Sequence, residues 1–174
     1  MTRVLIAGLG NMGMSHALAH HQHPDAEIVG LVNRSPVDLP AGLADYPFFA
    51  SLEDGLSANT PDLAVIATYS DSHADFACMA MDAGCHVFIE KPLATTVADA
   101  ERVVAKAVET GKKLVVGYIL RHHPSWVRLI EEARTLGGPY VFRLNLNQQS
   151  SGAEWETHKA LMQTTSPIVD CGVH

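Results

Sequence analysis

Cysteine is scarce in this chain of 174 residues: Cys78, Cys85 and Cys171 are an odd number without CxxC spacing, which argues against a disulfide framework or a zinc knuckle. Charge is also sparse, at 18% of residues, and the Lys and Arg side chains do not gather into a basic stripe. Without that electrostatic footprint, neither nucleic acid nor an anionic membrane surface is an expected partner. The net charge of −7 comes instead from scattered Asp and Glu. No apolar run approaches the ~20 residues that a membrane-spanning helix requires. Met1-Thr2-Arg3 leads into a short apolar segment that ends in glycines, too short for a signal-peptide core. A reducing, cytoplasmic setting is the expectation. Internal repeats and low-complexity linkers are absent as well. What the chain does have is a 47% apolar share and enough length for one full domain and part of another.

From Arg3 to about Gly117, short β-branched runs alternate with helical stretches, the pattern of βαβ units on a parallel sheet. Strands are expected over 4–7, 27–32, 63–67, 86–89 and 114–117. Ser51 with Asp54, and Thr96 with Asp99, have the form of capping boxes, while Gly84 and Gly111 stand where helix C-caps belong. After Tyr118 the pattern changes. Pro124 can open a helix running to about Arg134, Gly137-Gly138-Pro139 makes a turn, and the alternating run Val141 to Asn147 predicts a half-buried strand of a different sheet. One strand cannot satisfy its own edges, so more chain or another molecule must pair with it. The fold class is α/β, a Rossmann doubly wound parallel sheet over residues 1–119, followed by the beginning of a second domain over 120–174. The sequence stops at His174 without terminating logic, and the amino-terminal part of a longer protein is expected.

Gly8-Leu9-Gly10-Asn11-Met12-Gly13 matches GxGxxG, directly after the first expected strand and at the start of a helix. Chemistry asks three things of such a loop: a tight turn, close backbone approach to a pyrophosphate, and tight packing of helix on strand. Gly8, Gly10, Asn11, Met12 and Gly13 are therefore the candidate diphosphate contacts, through free N–H groups at the positive end of a helix. A carboxylate about 20 residues further on would take the adenosine ribose hydroxyls and mark NAD preference. Asn33-Arg34-Ser35 stands there instead. Arg34 can meet a 2′-phosphate, with Asn33 and Ser35 donating hydrogen bonds, so the cofactor is NADP or NAD, with NADP favoured.

Ligands of open parallel sheets sit beyond the carboxyl ends of the strands. The polar groups expected there are Thr68-Tyr69-Ser70-Asp71-Ser72-His73 and Glu90-Lys91-Pro92, with Thr68, Tyr69, His73, Glu90 and Lys91 as candidate cofactor contacts. Pro92 keeps Lys91 out of helical geometry, and a partly desolvated lysine can move a proton near neutrality or hold an alkoxide by charge. Asp170 and His174 are four apart, on one face of a helical turn. They suit a general base and its orienting carboxylate, two metal ligands, or a histidine bonded within a core. His16 and His20 share that spacing, but no carboxylate or cysteine joins them in the sequence, and no metal site is predicted. Ala77, Met79 and Ala80 are read as core packing.

Taken in order, these motifs resemble the glucose-fructose oxidoreductase and inositol dehydrogenase (Gfo/Idh/MocA) family. The resemblance rests on Gly8 to Ala17 with His16, Val65 to Thr68 with His73, Glu90-Lys91-Pro92, Gly117-Tyr118 with Arg121 and Pro124, and Asp170-Cys171-Gly172-Val173-His174. It implies a second α+β domain with an open, mostly antiparallel sheet that supports a dimer or tetramer. It also implies hydride exchange between a nicotinamide and a sugar, inositol or related polyol. In that scheme Lys91, Asp170 and His174 are catalytic: His174 takes the hydroxyl proton, Lys91 polarises the oxygen, and Asp170 orients the histidine or substrate. Tyr69-Ser70 stands where the family often has proline and asparagine, and Thr165-Ser166-Pro167 replaces a common glycine run. A non-catalytic NAD(P)-binding regulator of the same fold is the alternative, and its expected sign would be loss of the lysine or the histidine. A metal-dependent enzyme using Asp170 and His174 ranks third.

Overall fold

A computed structural model describes residues 1–143 together with Asn145, Gly152, Glu156 and Lys159. Two units are distinguished, Met1–Gly117 and Tyr118–His174. In the first, six parallel strands form one sheet: β1 (Thr2–Ala7), β2 (Ala26–Val32), β3 (Phe48–Phe49), β4 (Leu63–Ile66), β5 (His86–Ile89) and β6 (Leu114–Val116), in spatial order β3-β2-β1-β4-β5-β6. The order reverses between β1 and β4. Four helices connect the strands: α1 (Asn11–Gln22), α2 (Leu52–Ala58), α3 (His73–Asp82) and α4 (Val97–Thr110).

The period-two alternation of the strands divides the core between the two faces of the sheet. Along β1, Val4 and Ile6 join the cluster under α1 with Ala17, Ile28, Leu31 and Val65. Leu5 and Ala7 face the other way, joining Leu52 and Leu56 of α2, Ala77 and Met81 of α3, and Val103 of α4. Because helices cover both faces, the central strands read as continuous apolar runs. The capping residues act as expected. Ser51 Oγ accepts from the Asp54 N–H at 3.1 Å, and Thr96 Oγ1 does the same for Asp99 at 3.1 Å. Gly84 and Gly111 follow the ends of α3 and α4.

The second unit contains a 3-10 turn, Ile119–His122, and helix α5, Pro124–Leu136, which begins at the expected proline. His123 caps α5, its Nδ1 accepting from the Ser125 N–H at 3.3 Å. The strand expected over 141–147 is not seen in residues 141–143 or Asn145. No partner strand for it lies among the described residues, and a strand without a partner has no ladder to hold it. Leu144, Leu146 and Asn147 lie outside those residues, as do Asp170, Cys171 and His174. Among the described residues, no helix is long and apolar enough to cross a membrane.

Candidate active site

The glycine loop crosses from β1 to α1 at the point where the strand order reverses. Gly8 has φ +88°, a left-handed conformation, and a Cβ there would lie 2.4 Å from the carbonyl oxygen of Ala67, at the end of β4. A Cβ on Gly13 would lie 1.7 Å from the carbonyl oxygen of Gly8, so helix and strand meet backbone to backbone. Gly10 differs from both. Open space surrounds its missing Cβ, and it is exposed at the N-cap of α1, whose first turn has neither an acidic residue nor a side-chain cap. Such a set of uncapped N–H groups, approachable by a bulky anion, fits a dinucleotide diphosphate.

Asn33 lies at the end of β2 and braces the loop. Its Oδ1 accepts from the Leu9 N–H at 3.1 Å, while its Nδ2 donates to the Ser35 carbonyl at 2.8 Å. Arg34 and Ser35 are exposed. A cleft of about 320 Å³ opens beside this edge, lined by Gly8, Asn33, Arg34, Glu53, Thr68 and Met79 among others. Its walls are largely apolar, with Val32, Leu52, Phe76 and Met79 presenting side chains that could flank a flat aromatic base. Helical spacing alone assigns Met79 to the core together with Ala77 and Ala80. Those two alanines are fully buried, but Met79 is 37% exposed and forms cleft wall instead.

Beyond β4, Thr68 Oγ1 and Ser72 Oγ hydrogen-bond at 2.7 Å and Ser72 Oγ donates to the Tyr69 carbonyl at 2.8 Å, shaping a 3-10 turn over Ser70–Ser72. Tyr69 is left exposed. His73 is buried, with Nδ1 2.6 Å from the Pro92 carbonyl oxygen and Nε2 3.1 Å from that of Thr68.

Beyond β5, the Lys91–Pro92 peptide bond is cis. Glu90 points inward, only 7% exposed, and its Oε1 accepts from His16 Nε2 of α1 at 2.8 Å while Oε2 accepts from the Lys91 N–H at 3.3 Å. Burial pushes the Glu90 carboxyl upward, yet the hydrogen bond and charge of His16, with the Lys91 N–H and ammonium, hold it below the ordinary value. His16 also stacks edge-on against Phe88, with ring centroids 4.9 Å apart. Gly117, after β6, makes room for this carboxylate: a Cβ there would come within 3.2 Å of it.

The structure thus gathers the ends of β1, β2, β4 and β5 at one carboxyl edge, with the glycine loop, Asn33-Arg34-Ser35, Thr68 to His73 and Glu90-Lys91-Pro92 all belonging to it. Sequence reasoning singled out His16 in the resemblance but gave it no partner and no place in the site. Its partner, Glu90, lies 74 positions away, and neither the helix that the loop opens nor the resemblance names that pairing. His20, its companion at helical spacing, turns back to hydrogen-bond the His16 carbonyl at 2.8 Å. Among the described residues, no group of three His, Cys, Asp or Glu side chains could hold a metal ion.

Comparison with known proteins adds the chemistry. Residues 2–118 match the model of an oxidoreductase family with an NAD-binding Rossmann fold. A 4-carboxy-2-hydroxymuconate-6-semialdehyde dehydrogenase from a Sphingobium species is 34% identical over 126 residues, which cover 71% of this chain and 40% of that protein. An inositol 2-dehydrogenase from Salmonella typhimurium is 28% identical over 174 residues, covering 95% of this chain and 52% of the relative. Among solved structures, the WlbA dehydrogenase from Bordetella pertussis, in complex with NADH and UDP-GlcNAcA, is similar with a TM-score of 0.68 at 31% identity. That match covers 78% of this chain and 43% of the other. The chain spans about half or less of the length of these relatives.

Proposed function

Because the chain belongs to the Gfo/Idh/MocA family of oxidoreductases, we propose that it is the dinucleotide-binding portion of a dehydrogenase. Its substrates would be a sugar, inositol or related polyol, with NADP the favoured cofactor over NAD. The observation that carries this reading is the convergence of an uncapped glycine-loop helix, Arg34 and Lys91 on one edge of the sheet. When bound, the nicotinamide supplies the hydride acceptor or donor.

The chain's own residues have distinct tasks. The N–H groups of Gly10, Asn11, Met12 and Gly13 hold the diphosphate. Gly8 allows the turn, and Asn33 fixes it from below through Leu9. Arg34 receives the adenosine ribose, where a guanidinium matches a 2′-phosphate. Ser35 and Thr68 border the same region, and Tyr69, before the turn at Ser70–Ser72, and His73, at the start of α3, lie toward the nicotinamide side. Glu90 orients the turn that carries Lys91. Lys91 steadies the developing charge on the substrate oxygen, and His174, oriented by Asp170, accepts the hydroxyl proton as the alcohol becomes a carbonyl. We propose a cytoplasmic protein that assembles with further copies of itself as a dimer or tetramer, with no nucleic acid or membrane partner.

Titration calorimetry with NADP and NAD tests the cofactor reading directly. Arg34→Ala should weaken NADP by roughly tenfold or more while leaving NAD within about twofold, as expected when one charged contact to phosphate is lost. Equal losses for both cofactors would remove Arg34 from the 2′-phosphate role. Glu53 lines the same cleft, and stronger binding of NAD than NADP by the native protein would favour a ribose-hydroxyl role for that carboxylate.

A further inference from the structure

Glu90 is the buried carboxylate among the described residues, at 7% exposure. It stands one residue beyond β5, where its N–H still donates to the Ile66 carbonyl of β4 at 2.8 Å, and Lys91 follows directly after that contact. A carboxylate taken out of water needs donors at its oxygens, and those of Glu90 come from two directions. Nε2 of His16, on α1, lies 2.8 Å from Oε1, while the Lys91 N–H, on the carboxylate's own turn, reaches Oε2 at 3.3 Å. Burial pushes the Glu90 carboxyl up, but the bond and charge of His16 and those of Lys91 hold it below the ordinary value, so at neutral pH it is ionised and only accepts. The surroundings leave it one place to stand. Phe88 meets the His16 ring edge-on with centroids 4.9 Å apart, and a Cβ on Gly117 would already come within 3.2 Å of the carboxylate.

We propose that His16 is a positioning residue for the reaction, fixing the Lys91 turn, through the Glu90 carboxylate, to the same helix whose first turn takes the dinucleotide diphosphate. In its bearing on turnover this rests on the dehydrogenase reading. His16 follows Gly13 by about one turn of α1, and α1 is itself seated by the close approach of Gly13 to the Gly8 carbonyl. Over so short a stretch a helix moves as one body, so the diphosphate at its N-terminus and the carboxylate on its flank keep a fixed separation. The lysine thereby shares a frame with the bound dinucleotide as well as with the sheet. Beyond Lys91 the turn is also tied to α3, where His73 Nδ1 lies 2.6 Å from the Pro92 carbonyl oxygen. Loss of the His16 bond therefore loosens the turn on one side and leaves the path of the chain intact. A shift of about 1 Å in a reacting group costs on the order of a hundredfold in rate, and a turn still held at Pro92 should give up less, roughly tenfold.

The role asks only for an N–H at the reach of Nε2, which separates two conservative variants. Glutamine places its amide nitrogen close to where Nε2 stands, whereas asparagine is one carbon too short to meet Glu90. In the full-length protein, His16→Asn should lower kcat roughly tenfold or more on inositol, or on the member of a sugar and polyol panel that the native protein turns over fastest, while His16→Gln keeps it within about threefold. The calorimetric Kd for NADP and for NAD should stay within about twofold in both variants. Because His16 acts through Lys91, adding His16→Asn to Lys91→Ala should lower kcat no further. Unchanged kcat in His16→Asn, equal losses in the two variants, or a full further loss on the Lys91→Ala background would each overturn the proposal.

Amide hydrogen exchange supplies a reading that needs no turnover. His16→Asn should speed exchange of the Lys91 N–H relative to the Glu90 N–H, which donates within the sheet, and His16→Gln should not. Equal acceleration of both amides marks a general loss of stability and refutes positioning. Gly117→Ala presses on the same carboxylate from the end of β6 and leaves α1 untouched. It should reproduce the selective exchange and the kcat loss even where His16→Asn fails to fold, and its failure to do so overturns the proposal. A native protein that turns over no sugar or polyol refutes the dehydrogenase reading, while the exchange pattern still decides whether His16 holds the Lys91 turn.

Discussion

Replacing His16 with alanine removes the imidazole from a carboxylate that is only 7% exposed and otherwise keeps the weaker 3.3 Å bond from the Lys91 N–H. Leaving a buried polar group without its partner costs about 1–3 kcal/mol, and more when it is charged. His16 is itself partly open to solvent, so water can replace some of what is lost, and ~2 kcal/mol is the expected destabilisation at pH 7. For a unit of this length that corresponds to a fall in Tm of roughly 8 °C. The pH dependence follows from the direction of the Glu90 shift. A carboxyl held below its ordinary value stabilises the fold above the unfolded glutamate pKa, about 4.3, and that contribution is lost as pH falls through the lower folded value. The gap between native and His16→Ala should therefore be full at pH 7 and narrow below about pH 5. Thermal melts across that range, with urea titrations at the two ends, measure it. Glu90→Gln in the His16→Ala background should recover part of the loss, because an amide needs no countercharge. A gap independent of pH, or one under about 2 °C at pH 7, would refute the claim that this hydrogen bond to Glu90 supports the edge.

The glycines of the loop separate folding from binding. Gly13→Ala drives a methyl into the Gly8 carbonyl and should lower Tm severely, whereas Gly10→Ala meets nothing in the free protein and should melt normally yet bind dinucleotide poorly by calorimetry. Lys91→Ala in the full-length enzyme should cut kcat about a hundredfold or more with little change in dinucleotide Kd, and unchanged turnover would remove Lys91 from the chemistry. Thr96→Ala should cost about 1 kcal/mol in urea unfolding through loss of the α4 cap, and Thr96→Asn should restore most of it.

Local grammar made much of this fold legible. Strand alternation, the serine and threonine caps and the proline at α5 each act over a few residues, and each stands where the sequence places it. β3 escaped notice because two residues, Phe48 and Phe49, carry no period. The strand expected at 141–147 is not seen at 141–143 or Asn145, its other residues lie outside those described, and the partner that such a strand needs is not among the described residues. In the site, the glycine loop was legible because its chemistry is compressed into six residues. The pairings His16 with Glu90 and His73 with Pro92 span 74 and 19 positions, so no spacing rule could reveal them. Asn33 illustrates a subtler gap. Residue type and position suggested a ligand contact, and the structure adds a bracing role that position does not reveal, with the side chain accepting from the Leu9 N–H and donating to the Ser35 carbonyl.

Gly117 stands with its α-carbon against the Glu90 carboxylate, so that a single methyl there would force that group to move by a few tenths of an ångström. Any bulkier residue would evict the carboxylate from between His16 and the Lys91 backbone. Across related proteins, position 117 should thus change only together with position 90, and a relative that gains a side chain at the first should carry a shorter or apolar residue at the second. Such covariation would betray the contact without any structure.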